Sequence, residues 1–309
     1  MTRLLPGCYA STAAQADASP WESFRLRARA FSAYCGKATF LSGWSAAVIW
    51  QLPVLGHPPE RQTAVRSVSA GRGPRRTSHG DVRAVVLPVG HARRVDGVNA
   101  VSRAWAVADV ARGSPIPAAL AMADAAVRLR QDLADAVQHM TRWPRVHRAR
   151  WVVEHADPLA ESPIETLGRF TCIQFGLPMP VSNAWVGVDG PEFRVDGLWP
   201  FHGVVFEADG AVKYDNRPDA SQIVARQGER EWRLRRAGLD VVRYGWELAW
   251  RRRADLAERF AAVLRDNPPR ERPVRWWKHV PGTGPVEPVP ADWPSPGASM
   301  VILPAGWDR

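Results

Sequence analysis

The stretch Gly203-Val204-Val205-Phe206-Glu207 constrains this chain most, because an apolar run leads directly into a carboxylate. Such a run reads as a central strand, and an unpaired charge at its end is costly. A carboxylate kept there needs a partner or a task. The flanking segments supply a frame. Glu161–Phe175 reads as a helix that opens on Ser162-Pro163, where proline's missing N–H would go unpaired anyway, and Gly176 closes it. Ala184–Val188 and Phe193–Trp199 read as strands separated by the hairpin signal Asp189-Gly190. A short turn at Pro200–His202 precedes the Glu207 strand. Asp219–Ala237 is an amphipathic helix ended by Gly238, Leu239–Tyr244 a buried strand, and Glu247–Arg265 a last helix. The order αβββαβα predicts an α/β domain with a mixed sheet over residues 157–266.

A smaller α+β domain is expected before it, over residues 31–156. The spacing predicts one helix over Ala30–Leu52, stopped by Pro53, and helices over Ser102–Arg112 and Pro117–Met140, the last ended by Pro144. Val65–Val89 reads as short β pieces divided by turns at Gly71-Arg72-Gly73-Pro74 and Gly80-Asp81; the first lacks the further residues of a phosphate loop. Residues 1–30 read as a short fragment and linker. Residues 267–309 hold seven prolines beyond Val280 and predict an extended or disordered tail. In that tail Trp276-Trp277 reads as an anchor to the domain rather than a base-stacking platform.

No apolar run is long enough for a membrane span or a secretory signal. Cys8, Cys35 and Cys172 lack metal spacing and read as reduced thiols of a cytoplasmic protein. The net charge of +10 favours an anionic partner. Only three of the 41 basic residues are lysine, so arginine-rich coding inflates that charge, but it does not explain its clustering. Between Ala211 and Val280, 17 Lys/Arg face 10 Asp/Glu. The reading is a nucleic-acid partner, DNA.

Hydrolysing a phosphodiester at neutral pH calls for a hard divalent cation, Mg²⁺ or Mn²⁺, held by carboxylates. If the turn centres on Phe201, position 196 lies opposite 206, and Asp196 falls within a residue of Glu207. Strands about 4.8 Å apart then let Asp196 and Glu207 reach one cation. Asp209 shares Glu207's face, Glu165 completes the cluster from the preceding helix, and Lys213 supplies a cation for the phosphate or the attacking water. The eight histidines show no zinc-type spacing.

Glu161-Ser-Pro-Ile-Glu165, Arg194-Val-Asp196-Gly-Leu-Trp-Pro, Glu207-Ala-Asp209-Gly and Arg235-Arg-Ala-Gly-Leu-Asp-Val-Val-Arg243 together resemble the very-short-patch-repair type of PD-(D/E)XK nuclease. That resemblance implies a Mg²⁺-dependent deoxyribonuclease. It makes Glu165, Asp196 and Glu207 the acidic positions, with Asp209 and Lys213 beside them and Arg230 and Arg243 as candidate DNA contacts. The chain departs from the pattern twice. Asp209 stands where the triplet's lysine would fall, and Gln227-Gly228-Glu229-Arg230-Glu231 replaces a Glu-Lys-X-Arg-Glu run.

Residues before about 155 resemble the AbiEi antitoxin family. The matching stretches are Pro6-Gly-Cys-Tyr-Ala10, Leu41-Ser-Gly-Trp-Ser-Ala-Ala47, Val101-Ser-Arg-Ala-Trp-Ala-Val-Ala-Asp109-Val-Ala-Arg112 and the helix around Ala123-Asp124. Members begin with a winged helix-turn-helix, and Pro6-Gly-Cys-Tyr9 resembles the end of its wing, so residues 1–30 would be a remnant of that module. The alternative function is therefore a catalytically inactive antitoxin or transcriptional regulator with a cognate toxin protein as partner.

Overall fold

The computed structural model divides into two units, Met1–Pro158 and a second from Leu159 onward. It describes residues 1–68, 73–210 and 220–307, without the side chains of Ala14 and of residues 220–227. Lys213 and the expected turn at Gly71-Arg72 lie outside the described residues.

In the first unit β1 (Thr2–Leu5) and β2 (Cys8–Ala10) form a hairpin, followed by α1 (Thr12–Ala16) and α2 (Pro20–Cys35). A capping box starts α2: the Ser19 hydroxyl accepts from the Glu22 amide, and Glu22 accepts from the Ser19 amide. The single helix expected over Ala30–Leu52 is instead the end of α2, the short strand β3 (Thr39–Leu41) and α3 (Gly43–Ile49). Gly36, at φ 82°, breaks it.

Then come β4 (Gln62–Ser67), β5 (Arg75–Arg76), β6 (Gly80–Val85), β7 (Ala92–Val95), β8 (Val98–Val101), α4 (Arg103–Ala111), α5 (Ile116–Arg128), α6 (Leu133–Gln138) and α7 (Val146–Glu154). The helix expected over Pro117–Met140 is split into α5 and α6, with Arg130 between them at φ 56°. The strands join in one mixed sheet, order β5-β6-β4-β3-β8-β7. Buried Asp109 ties α4 to it, accepting from the Ser42 hydroxyl at 2.5 Å and from Arg112 at 2.9 Å, and pairing with Arg83.

The second unit begins with α8 (Pro163–Phe175), capped by the Ser162 hydroxyl and ended at Gly176 in the left-handed region. β9 (Val181–Val186), β10 (Phe193–Trp199) and β11 (Val204–Asp209) form an antiparallel meander. After α9 (Ala220–Arg236), β12 (Asp240–Gly245) joins β11 in parallel, giving the sheet order β12-β11-β10-β9. A π-helical turn, Glu247–Arg251, leads into α10 (Arg253–Asp266). The chain is thus a mixed α/β protein, and this unit runs αβββαβα.

Two apolar clusters hold the second unit. Trp199, Phe206, Tyr244 and Phe260 pack ring against ring at 5.2–5.6 Å between centroids. The other joins Val195, Leu198 and Val205 to Leu234, Leu239 and Trp276. Gly168 admits Tyr244 to the first: a Cβ there would stand 1.9 Å from the tyrosine oxygen, which donates to the Ile164 carbonyl. Gly168→Ala gains about 1 kcal/mol of helix propensity, but overpacking against a buried ring costs more. The expected result is a net loss of roughly 1–2 kcal/mol in urea unfolding.

The tail is folded rather than free, and the Trp276-Trp277 pair anchors it as expected. It folds onto the second unit, with Trp276 and Trp277 at 1% and 5% exposure and a backbone pair joining Trp277 to Trp185. β13 (Lys278–Val280) and β14 (Gly284–Val286) make a hairpin. His202 reaches the carbonyls of Asn267 and Pro296 at 2.7 and 3.1 Å. Proline removes backbone donors but leaves large side chains free to bury, and here indole rings do so.

Candidate functional site

The β10–β11 ladder pairs Gly197 with Phe206, one residue off the expected register, so the turn centres between Phe201 and His202. Continuing that register sets Asp196 opposite Glu207. The ladder ends at Gly197, and beyond it the Ala208 amide donates to the Asp196 carboxylate at 2.7 Å. Burial pushes the Asp196 carboxyl up to about 7; the Ala208 bond and Arg230 oppose that rise, while Glu207 and Glu165 reinforce it. Asp196 therefore sits within electrostatic reach of both other carboxylates.

Glu207 is 9% exposed, and its Oε1 accepts from Arg230 at 2.8 Å. The same guanidinium nitrogen donates to the Arg194 carbonyl at 2.6 Å, which fixes Arg230 across the strand ends. The charge at the end of the apolar strand thus has a partner, as a buried charge must. Glu165 is also engaged. It accepts from Asn183 Nδ2 at 2.7 Å, from the Glu161 amide at 2.9 Å and from the Ser162 hydroxyl at 2.6 Å. Asn183 holds φ 50° within β9, a left-handed kink that accompanies the side chain's bonds to Glu165 and to the Leu159 carbonyl.

The acidic residues do not all converge. Asp209 pairs with Arg243 at 3.1 Å, and Arg243 also approaches Glu231 at 3.7 Å. Arg230 and Arg243, read as DNA contacts, are thus ion-pair partners inside the unit. Among the described residues, Glu165, Asp196 and Glu207 do not bring three oxygens within 4.8 Å of one another. The fit to a hard divalent cation rests on chemistry: carboxylate oxygens from adjacent strands, one of them desolvated in an excess of negative charge.

Outside the carboxylates, Trp232 on α9 is 52% exposed with the Arg236 guanidinium over its ring at 4.8 Å, beside Arg233. The sequence reading did not single it out, although an aromatic residue among arginines on a charged helix was the available signal. In the first unit His91, Asp135 and His139 gather within 4.8 Å, a cluster that a search for two spaced histidines passes over. No helix among the described residues is long and apolar enough to cross a membrane.

No known family profile matches the chain, and no solved structure matches it. It is similar to two proteins of Mycobacterium tuberculosis, the uncharacterized protein MT2308 of strain CDC 1551 and the uncharacterized protein Rv2248 of strain H37Rv. Each is 36% identical over 113 residues, covering 35% of this chain and 42% of the relative. The chain thus spans less than half the length of these curated relatives.

Proposed function

We propose that the second unit is a metal-dependent endonuclease of the PD-(D/E)XK kind that hydrolyses phosphodiester bonds in DNA. The observation that carries this reading is the half-buried Asp196 carboxylate, held against the Ala208 amide, opposite Glu207 and within the field of Glu165. The αβββαβα order and the β12-β11-β10-β9 sheet support it, because they set Asp196 and Glu207 on neighbouring strands and Glu165 on α8. Asp196 and Glu207 would hold a Mg²⁺ or Mn²⁺ ion, whose chemistry is to neutralise phosphate charge and make bound water a stronger nucleophile. Glu165, locked by Asn183 and Ser162, keeps the field at Asp196 negative. Arg230 offsets that field beside Glu207 and orients its carboxylate. On α9, Trp232 and Arg236 offer a stacking and cationic surface to unpaired bases and backbone.

A plasmid-nicking assay with Mg²⁺ or Mn²⁺ tests the reading. Nicking by the wild type that is lost in Glu207→Ala supports it; no nicking, or equal nicking by that variant, overturns it. Trp232→Ala is expected to weaken single-stranded DNA binding about fivefold or more, the worth of one stacked base, without changing stability.

One observation favours a second reading, a catalytically silent antitoxin or regulator with a cognate toxin partner: Arg230 already neutralises Glu207, and Glu165 has its oxygens engaged. DNA binding without nicking, joined to suppression of a co-encoded toxin, would favour it.

A further inference from the structure

The geometry points to a second metal site, in the first unit: His91, Asp135 and His139 bind a borderline divalent cation of the zinc class. His91 lies in the turn Val89–His91 ahead of β7, and the other two residues come from α6 and the residue that follows it. One ligand atom from each lies within 4.8 Å of the others. A tetrahedral zinc site, with bonds of about 2.0–2.1 Å, sets its ligand atoms roughly 3.4 Å apart. Side-chain rotation of Asp135 and His139, 51% and 43% exposed, can close that gap.

His91 presents Nε2 to the Asp135 carboxylate, 3.1 Å from Oδ2, and His139 presents Nδ1, 3.7 Å from Oδ1. His139 Nδ1 also lies 2.9 Å from the Asp135 carbonyl, an oxygen that only accepts, so in the neutral ring Nδ1 carries the proton, and this half-exposed ring would turn over to offer the Nε2 lone pair to an ion. His91 Nδ1 lies 2.7 Å from the Ser102 hydroxyl, whose oxygen also caps α4 by accepting from the Trp105 amide. Hydrogen bonds of this kind at the other ring nitrogen orient metal-bound histidines. His91 is 3% exposed, its ring packed 5.0 Å from that of Trp105. Its Nε2 is buried with no hydrogen-bond partner. A carboxylate oxygen, Asp135 Oδ2, stands 3.1 Å away, close enough for one cation to bind both atoms.

Two nitrogens and one oxygen favour zinc-like ions over Mg²⁺ or Ca²⁺, which take oxygen ligands. Three protein ligands on a solvent-facing edge leave a fourth position for water or an added ligand. Bound, the ion would tie α6 to the sheet margin at β7.

The test uses the full chain carrying Asp196→Asn, which removes the second unit's carboxylate from the count. Calorimetric titration with Zn²⁺ and the visible spectrum of the Co²⁺ form are the readouts. The expected result is one Zn²⁺ per chain, undisturbed by millimolar Mg²⁺, with a tetrahedral Co²⁺ spectrum. His139→Ala and Asp135→Asn, at half-exposed positions that leave the core intact, should each weaken Zn²⁺ binding by about 100-fold and abolish the Co²⁺ band. No stoichiometric binding would overturn the assignment, as would equal binding by both variants, the mark of an adventitious cation.

Discussion

Asp196→Asn should make the chain more stable above pH 7 while it abolishes metal-dependent nicking. A carboxyl raised from 3.8 to about 7 binds its proton more tightly folded than unfolded. Between those values the native state holds the extra proton, so stability falls as pH rises through the window, and the full penalty stands above about 7. The shift corresponds to at most about 4 kcal/mol. Asparagine keeps an oxygen for the Ala208 amide and carries no charge. Allowing for partial solvent screening and the lost attraction to Arg230, the expected gain is about 1–3 kcal/mol at pH 8, vanishing near pH 4. Nicking should drop on the order of 10²–10³-fold or more, as when a preorganised electrostatic group is removed. Urea unfolding at the two pH values, run beside the plasmid assay, checks both halves. A residue that served only to hold the fold would give a loss of stability instead.

Trp276→Ala should cost about 3–5 kcal/mol of stability, the range for truncating a buried aromatic residue. Trp276 is 1% exposed, sits in the cluster with Val195, Val205 and Leu234, and meets Trp293 edge-on at 5.5 Å. The loss should also reach β9, because the next residue, Trp277, makes the backbone pair with Trp185. Hydrogen exchange at Trp185 would report that loosening. A variant as stable as the wild type would mean that the tail does not belong to the second unit.

The two units were unequally legible. In the second, long apolar strands and the glycines at 176 and 238 marked most element boundaries to within a few residues, because burial and helix ends both leave strong local marks. In the tail, proline content is a backbone signal that pointed to an extended chain; the tryptophan pair marked an anchor, but what Trp276 meets in space is not encoded locally. In the first unit, alanine-rich segments have helical periodicity wherever they stand, so nothing in Ala30–Leu52 announced the three-residue strand Thr39–Leu41. Strand β7 and helix α7 went unread because their arginine-rich stretches carry little apolar period.

The candidate sites divide in the same way. Asp196 and Glu207 could be placed near each other since a tight turn makes register arithmetic short, and one residue of error still left them neighbours. That Arg230 would meet Glu207 needed the packing of α9 on the sheet, which no local pattern encodes. His91 and His139 were unreadable as a pair for a plainer reason: they lie 48 positions apart, and only the fold brings the turn before β7 to α6.

Titration with Mg²⁺ at pH 8 addresses the carboxylate site most directly, since Mg²⁺ takes oxygen ligands and discriminates against imidazole. The wild type should bind one ion, and Asp196→Asn and Glu207→Gln should bind none. Below about 7 the apparent affinity should fall roughly tenfold per pH unit, as the proton on Asp196 competes with the ion. A wild type that binds no Mg²⁺ at pH 8, or variants that bind it equally well, would contradict the endonuclease assignment.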